Sequence, residues 1–335
     1  MLRIAINGFG RIGKSFLRAC LRDSKALEKM QVVAINIGPA DINYLAYLFT
    51  YDTTMGKYQG DVRLEGDQLI IDNHRIKILA QKDPALLPWA DLNIDWVVEC
   101  TGHYTKRDGA LKHLQAGAKK VLISAPAHGE DVTIVPGVNA QLYDAQKHSI
   151  VSLGSCTTNA VTPMLKIMND AFTIQHAMMT TIHAYTNSQV LLDVEGEDER
   201  RSRAAALNII PTTTGAMKVV AKVLPELEGL IEGLALRVPV ANVSLVDLTV
   251  ITKKEVTAQL INQVFMDASK GDLKDIISFS TLPLVSSDFI GDAHSVIIDS
   301  ELTSTTGKNM SKIFGWYDNE WGYSNRLKDF LKMVG

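Results

Sequence analysis

Two domains of different class are predicted, an α/β unit with a mostly parallel sheet followed by an α+β unit with a mainly antiparallel one. Three observations carry this. The chain has 335 residues, more than one core of about 100–200 residues normally organises. Residues 1–150 alternate short apolar strands with helical spacing. Beyond Cys156 the texture changes to long β-rich runs with few helices between them. In the first part, Leu2–Ile6 reads as a buried strand, Asn7–Gly13 as a turn and Ile12–Leu21 as a helix. Gln31–Ile37, Trp96–Glu99 and Lys120–Ser124 are further strands, with a helix at Leu111–Ala116 stopped by Gly117. Repeated strand, helix, strand predicts helices on both faces of a parallel sheet. In the second part the β runs are Ile174–His183, Leu234–Thr252 and His294–Ser300. Helices are expected at Thr213–Leu227 and Val256–Ser269, the latter with Val256, Leu260, Val264 and Ala268 on one face. Tyr323–Val334 has Tyr323, Leu327, Phe330, Leu331 and Val334 on one side, which predicts an amphipathic C-terminal helix.

Composition excludes several classes. Hydrophobic residues are 46% and charged residues 21%, so disorder, collagen and coiled coil are out. The formal net charge of −3 gives no basic surplus for nucleic acid or an anionic membrane. The apolar stretch nearest to a membrane span, Leu230–Thr252, is broken by Glu232, Arg237, Asn242 and Asp247. The cysteines are Cys20, Cys100 and Cys156; an odd number without a CxxC pair argues against a disulfide framework and for a reducing compartment. With an apolar strand beginning at Leu2 in place of a signal peptide, a cytoplasmic enzyme is expected. No histidine or cysteine spacing suggests a metal.

Gly8-Phe9-Gly10-Arg11-Ile12-Gly13 fits G-x-G-x-x-G. Alone the pattern is weak, but here it follows a strand and opens a helix, the context that dinucleotide binding requires. Gly8 permits the turn, Gly10 lets a pyrophosphate approach, and Gly13 lets helix and strand pack closely. The helix N-terminus then offers unpaired N–H groups to the phosphates. A Rossmann dinucleotide-binding domain is therefore expected. The acidic residue that usually holds the adenosine ribose is missing: the second strand ends Asn36-Ile37-Gly38-Pro39, and Asp41 is the nearest carboxylate. Both NAD and NADP remain compatible with that end.

Ser155-Cys156-Thr157-Thr158-Asn159 precedes an apolar helical run. A cysteine at a helix N-terminus is placed where the thiolate is favoured. The flanking Ser and Thr are capping residues rather than core residues. Pro163 is expected to kink the helix near Asn159. His183 ends a β run and is the candidate base.

These segments, with Arg201–Ala206, Ile210–Ala216, Leu236–Pro239 and Trp316–Tyr323, occur in one order along essentially the whole chain. Together they closely resemble the phosphorylating glyceraldehyde-3-phosphate dehydrogenases. The resemblance implies a dinucleotide-binding domain of residues 1–155 completed by a C-terminal helix, 320–335, and a catalytic domain of residues 156–319. It makes Cys156 the nucleophile that forms a thioester with glyceraldehyde 3-phosphate, and His183 its base. Thr186 and Arg237 match ligands of the substrate phosphate. Ser155, Thr157, Thr214 and Gly215, with Arg201 close by, match a site for attacking inorganic phosphate. Arg200 and Arg203 are expected in surface or inter-subunit salt bridges. On the cofactor side Arg11 and Ile12 match the pyrophosphate loop, and Thr101, Gly102 and Ser124 match turns that line it. Lys82 falls near the adenine end, Asn319 matches the residue that orients the nicotinamide amide, and Tyr323 packs nearby. A homotetramer is implied, with the loop Asn187–Arg203 against a neighbour.

Departures from the family pattern are Ile37 in place of the acid, Ser188 for an Asp and Ala160 for a second cysteine; against the first, Glu195 falls in the loop that in the family reaches a neighbour's adenosine pocket, where a carboxylate disfavours a 2′-phosphate. The nearest alternative, erythrose-4-phosphate dehydrogenase, hydrolyses its thioester and needs the attacking-phosphate site less; Thr157, Thr214, Gly215 and Arg201 all persist here. A non-catalytic binding protein on the same fold would not need Cys156, His183 and Asn319.

Overall fold

The computed structural model describes residues 1–196 and 198–335. Packing divides the chain into two compact units. One comprises residues 1–134, 141–154 and 324–335; the other comprises 135–140 and 155–323.

The first unit contains nine strands: β1 (Leu2–Asn7), β2 (Met30–Asn36), β3 (Val62–Glu65), β4 (Gln68–Ile71), β5 (His74–Leu79), β6 (Trp96–Glu99), β7 (Lys120–Ile123), β8 (Val132–Thr133) and β9 (Ile150–Ser152). They form one sheet in the order β3-β4-β5-β2-β1-β6-β7-β9-β8. The central strands are parallel, as expected for crossovers through helices; β3–β5 add an antiparallel meander at one edge that the sequence reading had not anticipated. Helices α1 (Arg11–Leu21), α2 (Ser24–Lys29), α3 (Leu45–Thr50) and α4 (Arg107–Gln115) belong to this unit. β1 pairs with β2 on one side and with β6 on the other, so the strand order reverses there. Ligands of open α/β sheets bind beyond the carboxyl ends of the strands at such a switch point. The register puts Asn7 opposite both Asn36 and Glu99, and Glu99 opposite Ile123. Gly8, Ile37, Thr101 and Ser124 therefore leave their strands at one common edge.

In the second unit, α5 (Cys156–Phe172) is followed by β10 (Ile174–Ala184), β11 (Ile210–Thr213), α6 (Ala216–Val223), β12 (Ile231–Val238), β13 (Ser244–Thr252), α7 (Ala258–Lys270), β14 (Ile277–Ser280), β15 (Val296–Thr306) and β16 (Met310–Tyr317). The sheet order is β11-β12-β10-β13-β16-β15-β14, antiparallel except for β12/β10 and β15/β14. α5 lies on one face of this sheet. Its Ala160, Val161, Met164, Leu165 and Met168 bury against Met179, Val246, Leu248, Ile313 and Tyr317. Gly315 permits that approach: a Cβ there would stand 2.5 Å from Val296 Cγ2 and 3.0 Å from Met164 Sδ. Pro163 does not end α5, which continues for two more turns to Phe172.

Three expectations need correcting. The helix predicted over Thr213–Leu227 covers only Ala216–Val223, because Thr213 pairs as a strand and Pro225 lacks the N–H needed to continue. Val256 precedes the Thr257 cap of α7, and the buried residues are Ile261 and Phe265 with Leu260 exposed, so the apolar face is turned by about one residue from the predicted one. The C-terminal helix, α8 (Trp321–Val334), is not simply amphipathic. Ser324, Asn325, Arg326 and Lys328 are buried along with its apolar residues. Local partners allow this: Lys328 reaches Asp23 and the Asn325 amide oxygen, each at 3.0 Å, and Arg326 reaches Asp329 at 2.5 Å.

Candidate active site

Cys156 is the first residue of α5. Ser155 caps that helix: its hydroxyl accepts the Thr158 N–H at 3.0 Å, and the Thr158 hydroxyl accepts the Ser155 N–H at 3.3 Å. This reciprocal cap fixes the entry angle of the chain and hence the direction of the cysteine. Across the sheet face beneath α5, β10 presents Ala177, Met179, Thr181 and His183 at period two, and all four are buried. The first two fill the core, and the last brings an imidazole to the N-terminal end of α5. Sγ of Cys156 lies 3.5 Å from Nε2 of His183.

The other ring nitrogen of His183, Nδ1, is 2.7 Å from the Ala184 carbonyl oxygen. Nδ1 has two competing partners, since the Ala184 oxygen takes a proton from it while Arg237, which only donates, asks it to accept; with the proton on Nδ1, Nε2 offers its lone pair to the thiol. Nη1 of Arg237 stands 2.8 Å from the same Nδ1 and donates to the Ala184 oxygen at 3.0 Å. Parallel pairing of β10 with β12 sets this contact, since His183 and Arg237 are register partners. Burial, and then the Arg237 charge, push His183 down to about 3. Burial also pushes the Cys156 thiol up, against the opposing pull of Arg237 and of the Thr157 N–H. The thiolate expected from the helix N-terminus is thus offset by desolvation. The uncharged thiol–imidazole pair is favoured, and in the tautomer protonated on Nδ1 its acceptor is in place for the thiol proton.

Tyr317 holds this pair in position and was missed by sequence reasoning, although it lies inside a quoted motif. Its hydroxyl is 2.9 Å from the Thr157 hydroxyl and 2.7 Å from that of Thr181. Its ring meets His183 edge-on at 6.0 Å. Ser244, also missed, joins the end of β10 to Asn319: its hydroxyl accepts the Ala184 N–H at 3.0 Å and donates to the Asn319 oxygen at 2.9 Å. Asn319 is thereby oriented with its amide oxygen occupied. Tyr323 is buried in the first turn of α8.

Arg237 and Arg201 form no ion pair among the described residues, and burial lowers the Arg237 pKa with the Arg201 charge adding to it. Arg237 is largely buried, and its Nε has no partner. Such an arrangement is costly unless an anion joins it. Nε of Arg201 donates to the Thr212 hydroxyl at 3.0 Å. The Thr186 hydroxyl is 3.0 Å from that of Ser188, so the serine that replaces an aspartate still steadies it. At the start of α6, Gly215 carries no side-chain cap and nothing lies within 4 Å of where its Cβ would be, so the helix end is open to an anion. Thr214 accepts the Ala216 N–H at 3.2 Å. The hydroxyls of Ser155 and Thr157 are already engaged, one by the cap and the other by Tyr317. Arg203 pairs with Asp193 at 2.7 Å, both more than half exposed, which contributes little. Glu197, inside the predicted inter-subunit loop, lies outside the described residues. Among those described, no cluster of three or more His, Cys, Asp or Glu could hold a metal.

The glycine turn of the first unit suits a dinucleotide. Gly8 has φ +93°, and a Cβ there would stand 2.7 Å from the Thr101 nitrogen. A Cβ on Gly13 would collide with the Gly8 oxygen, whereas at Gly10 the space is empty out to 4 Å. α1 has no side-chain cap and no acid in its first turn, so an anion can take up its N–H groups. Arg11 contributes only its backbone, because its guanidinium is held by Asp52 at 2.5 Å and by Thr54. Gly102 (φ +75°) and Ser124 follow their strands at the same edge, and Lys82 is exposed in the turn after β5. Beside the turn is a cleft of about 390 Å³ whose lining includes Phe9, Gly10, Ile37, Ala40, Asp41 and Tyr44. Its lining holds no cation, and the Asp41 carboxylate is occupied by the Asn43 N–H at 2.9 Å.

Residues 2–107 match the profile of the glyceraldehyde 3-phosphate dehydrogenase NAD binding domain, and residues 155–319 that of the C-terminal domain of the same family. The chain is 50% identical over 333 residues to the glyceraldehyde-3-phosphate dehydrogenase of Priestia megaterium, covering 99% of this chain and 98% of the relative. It is 49% identical to glyceraldehyde-3-phosphate dehydrogenase 1 of Bacillus subtilis, and 48% identical to the enzyme of Geobacillus stearothermophilus, with the same coverage. No helix among the described residues is long and apolar enough to cross a membrane.

Proposed function

This chain belongs to the glyceraldehyde 3-phosphate dehydrogenase family, and from that premise we propose that it oxidises glyceraldehyde 3-phosphate to 1,3-bisphosphoglycerate through a thioester on Cys156. The observation that carries the assignment of residues is the 3.5 Å approach of the Cys156 thiol to His183 Nε2, flanked by guanidinium groups that have no carboxylate partner among the described residues. The cofactor, NAD or NADP held on the turn Gly8–Gly13, supplies the hydride acceptor. Sγ attacks the aldehyde carbon while its proton passes to Nε2, and the imidazolium returns that proton to the new oxyanion. Nε2 then takes the hemithioacetal proton as the hydride leaves the carbon, which yields the thioester. Arg237 and Thr186 hold the substrate phosphate. Arg201, Thr214 and the Gly215 helix end hold the inorganic phosphate that cleaves the thioester and frees the thiol. Initial rates with and without phosphate test this: turnover should require phosphate, and phosphate-independent acid formation would favour the hydrolytic relative instead.

The adenosine cleft has neither a carboxylate at Ile37 to repel a 2′-phosphate nor a cation to bind one. Both cofactors should therefore be used, with kcat/KM values within about tenfold of each other. Ile37→Asp should lower kcat/KM for NADP at least about tenfold relative to NAD. An unchanged ratio would place the selection elsewhere.

A homotetramer is proposed for the assembly and the cytoplasm for its location. Leu191, Leu192, Leu207 and Ile209 are between 67% and 85% exposed within one segment, the kind of apolar surface that a second copy covers. Light scattering of the purified protein should give four times the chain mass; a monomer would overturn this. The reactive thiol suits a reducing compartment.

A further inference from the structure

Glu99 ends β6 beneath the glycine turn and is 1% exposed. Its carboxylate receives hydrogen bonds from the Asn7 side-chain amide at 2.6 Å, the Thr101 N–H at 2.7 Å, the Thr101 hydroxyl, and Nε2 of His113 at 3.1 Å. The donor sense of each partner is fixed from outside. The backbone of Gln81 gives its N–H to the Asn36 oxygen and takes the Asn36 amide on its carbonyl, each at 2.9 Å. Asn36 must then donate to the Asn7 oxygen, which it does at 2.7 Å, and Asn7 is left to donate to Glu99. On the other side the Trp89 indole N–H points at His113 Nδ1 at 3.0 Å. An indole only donates, so Nδ1 accepts and Nε2 carries the hydrogen given to Glu99. Both carboxylate oxygens face donors alone.

The consequence reaches the cofactor turn. Asn7 directly precedes Gly8, and Thr101 packs on Gly8 so closely that a Cβ would stand 2.7 Å from its nitrogen and 2.8 Å from its Cγ2. Resting on the reading of this turn as the cofactor cradle, we propose that Glu99 is its positioning residue. It ties the ends of β1 and β6 together, so that Gly8–Gly13 is held in the binding shape before NAD or NADP arrives. The carboxylate absorbs the local donors of Asn7 and Thr101 and leaves the α1 N–H groups for the pyrophosphate. Neither composition nor the glycine spacing signals this; the only hint in the sequence is an acid at the end of an otherwise apolar strand.

Glu99→Gln keeps the size but turns an NH2 towards two donors, whichever way it is placed. Titration calorimetry of the apo protein with whichever of the two cofactors the wild type binds more tightly should show Kd raised about tenfold or more. The alkylation rate of Cys156 in the apo protein should stay at the wild-type value, because that chemistry does not use the turn. His113→Gln retains a donor at the Nε2 position and should bind nearly as well as wild type, whereas His113→Leu should weaken binding in the same sense as Glu99→Gln. A folded Glu99→Gln protein with wild-type affinity overturns the proposal. If that variant does not fold, equal affinities for His113→Gln and His113→Leu overturn it. Wild-type protein that binds neither cofactor would instead refute the reading of the turn itself.

Discussion

Cys156→Ser should lose phosphorylating activity by about a thousandfold or more. A serine hydroxyl would point the same way from the same backbone, set slightly back by its shorter bond to Cβ, so the fold and the binding groups are kept and the chemistry of the nucleophile is tested. Sulfur is the stronger nucleophile towards the aldehyde, and the thioester it forms is reactive enough for phosphate to cleave. An oxygen ester would trap the acyl group. The measurement is the initial rate with glyceraldehyde 3-phosphate, phosphate and cofactor, with cofactor affinity as the control for folding. Turnover near the wild-type rate would remove Cys156 from the mechanism.

His183→Asn should lower kcat by about 10²–10⁴, the range for loss of a positioned acid–base group. It should also slow alkylation of Cys156 at neutral pH, because the thiol loses the acceptor at 3.5 Å. The same variant has a signature in stability. Burial holds His183 down to about 3, while an unfolded histidine titrates near about 6.5. The unfolded chain therefore binds the extra proton between these values. The contribution is fully present above about pH 6.5 and is lost as pH falls towards about 3, at up to about 1.4 kcal/mol per pH unit. The melting temperature of the wild type should fall over that window more steeply than that of His183→Asn. Parallel curves would mean that the imidazole titrates in the folded protein as it does in water.

Much of the site was legible one segment at a time. The glycine turn carries its own context, a strand before and a helix after. Ser155-Cys156-Thr157-Thr158 carries the signature of a capped helix start. Local patterns failed where a neighbour decides the outcome. The apolar face of α7 was misplaced because its start depends on the Thr257 cap rather than on Val256. α8 looked amphipathic because nothing in its own sequence shows that Asp23 will meet Lys328. The reactivity of Cys156 was judged from the helix end alone, whereas the desolvation that opposes it comes from the fold around it.

What the sequence by itself determined is the set of parts: an α/β unit opened by a glycine turn, a cysteine at a helix start and a histidine at a strand end, whereas the arginines and threonines expected at phosphate were marked out only by the family resemblance. The first three follow from chain-local physics, the periods of apolar residues, capping chemistry and the torsional freedom of glycine at Gly8. Only the tertiary structure decided which parts meet. His183 faces Cys156 because α5 packs across β10, and Arg237 reaches His183 because β12 pairs with β10 in parallel register. Tyr317, Ser244 and Glu99 gain their roles from partners 136, 75 and 92 residues away in the chain. Hydrogen-bond direction and desolvation depend on distances of a few ångströms in space, and separation along the chain does not encode them.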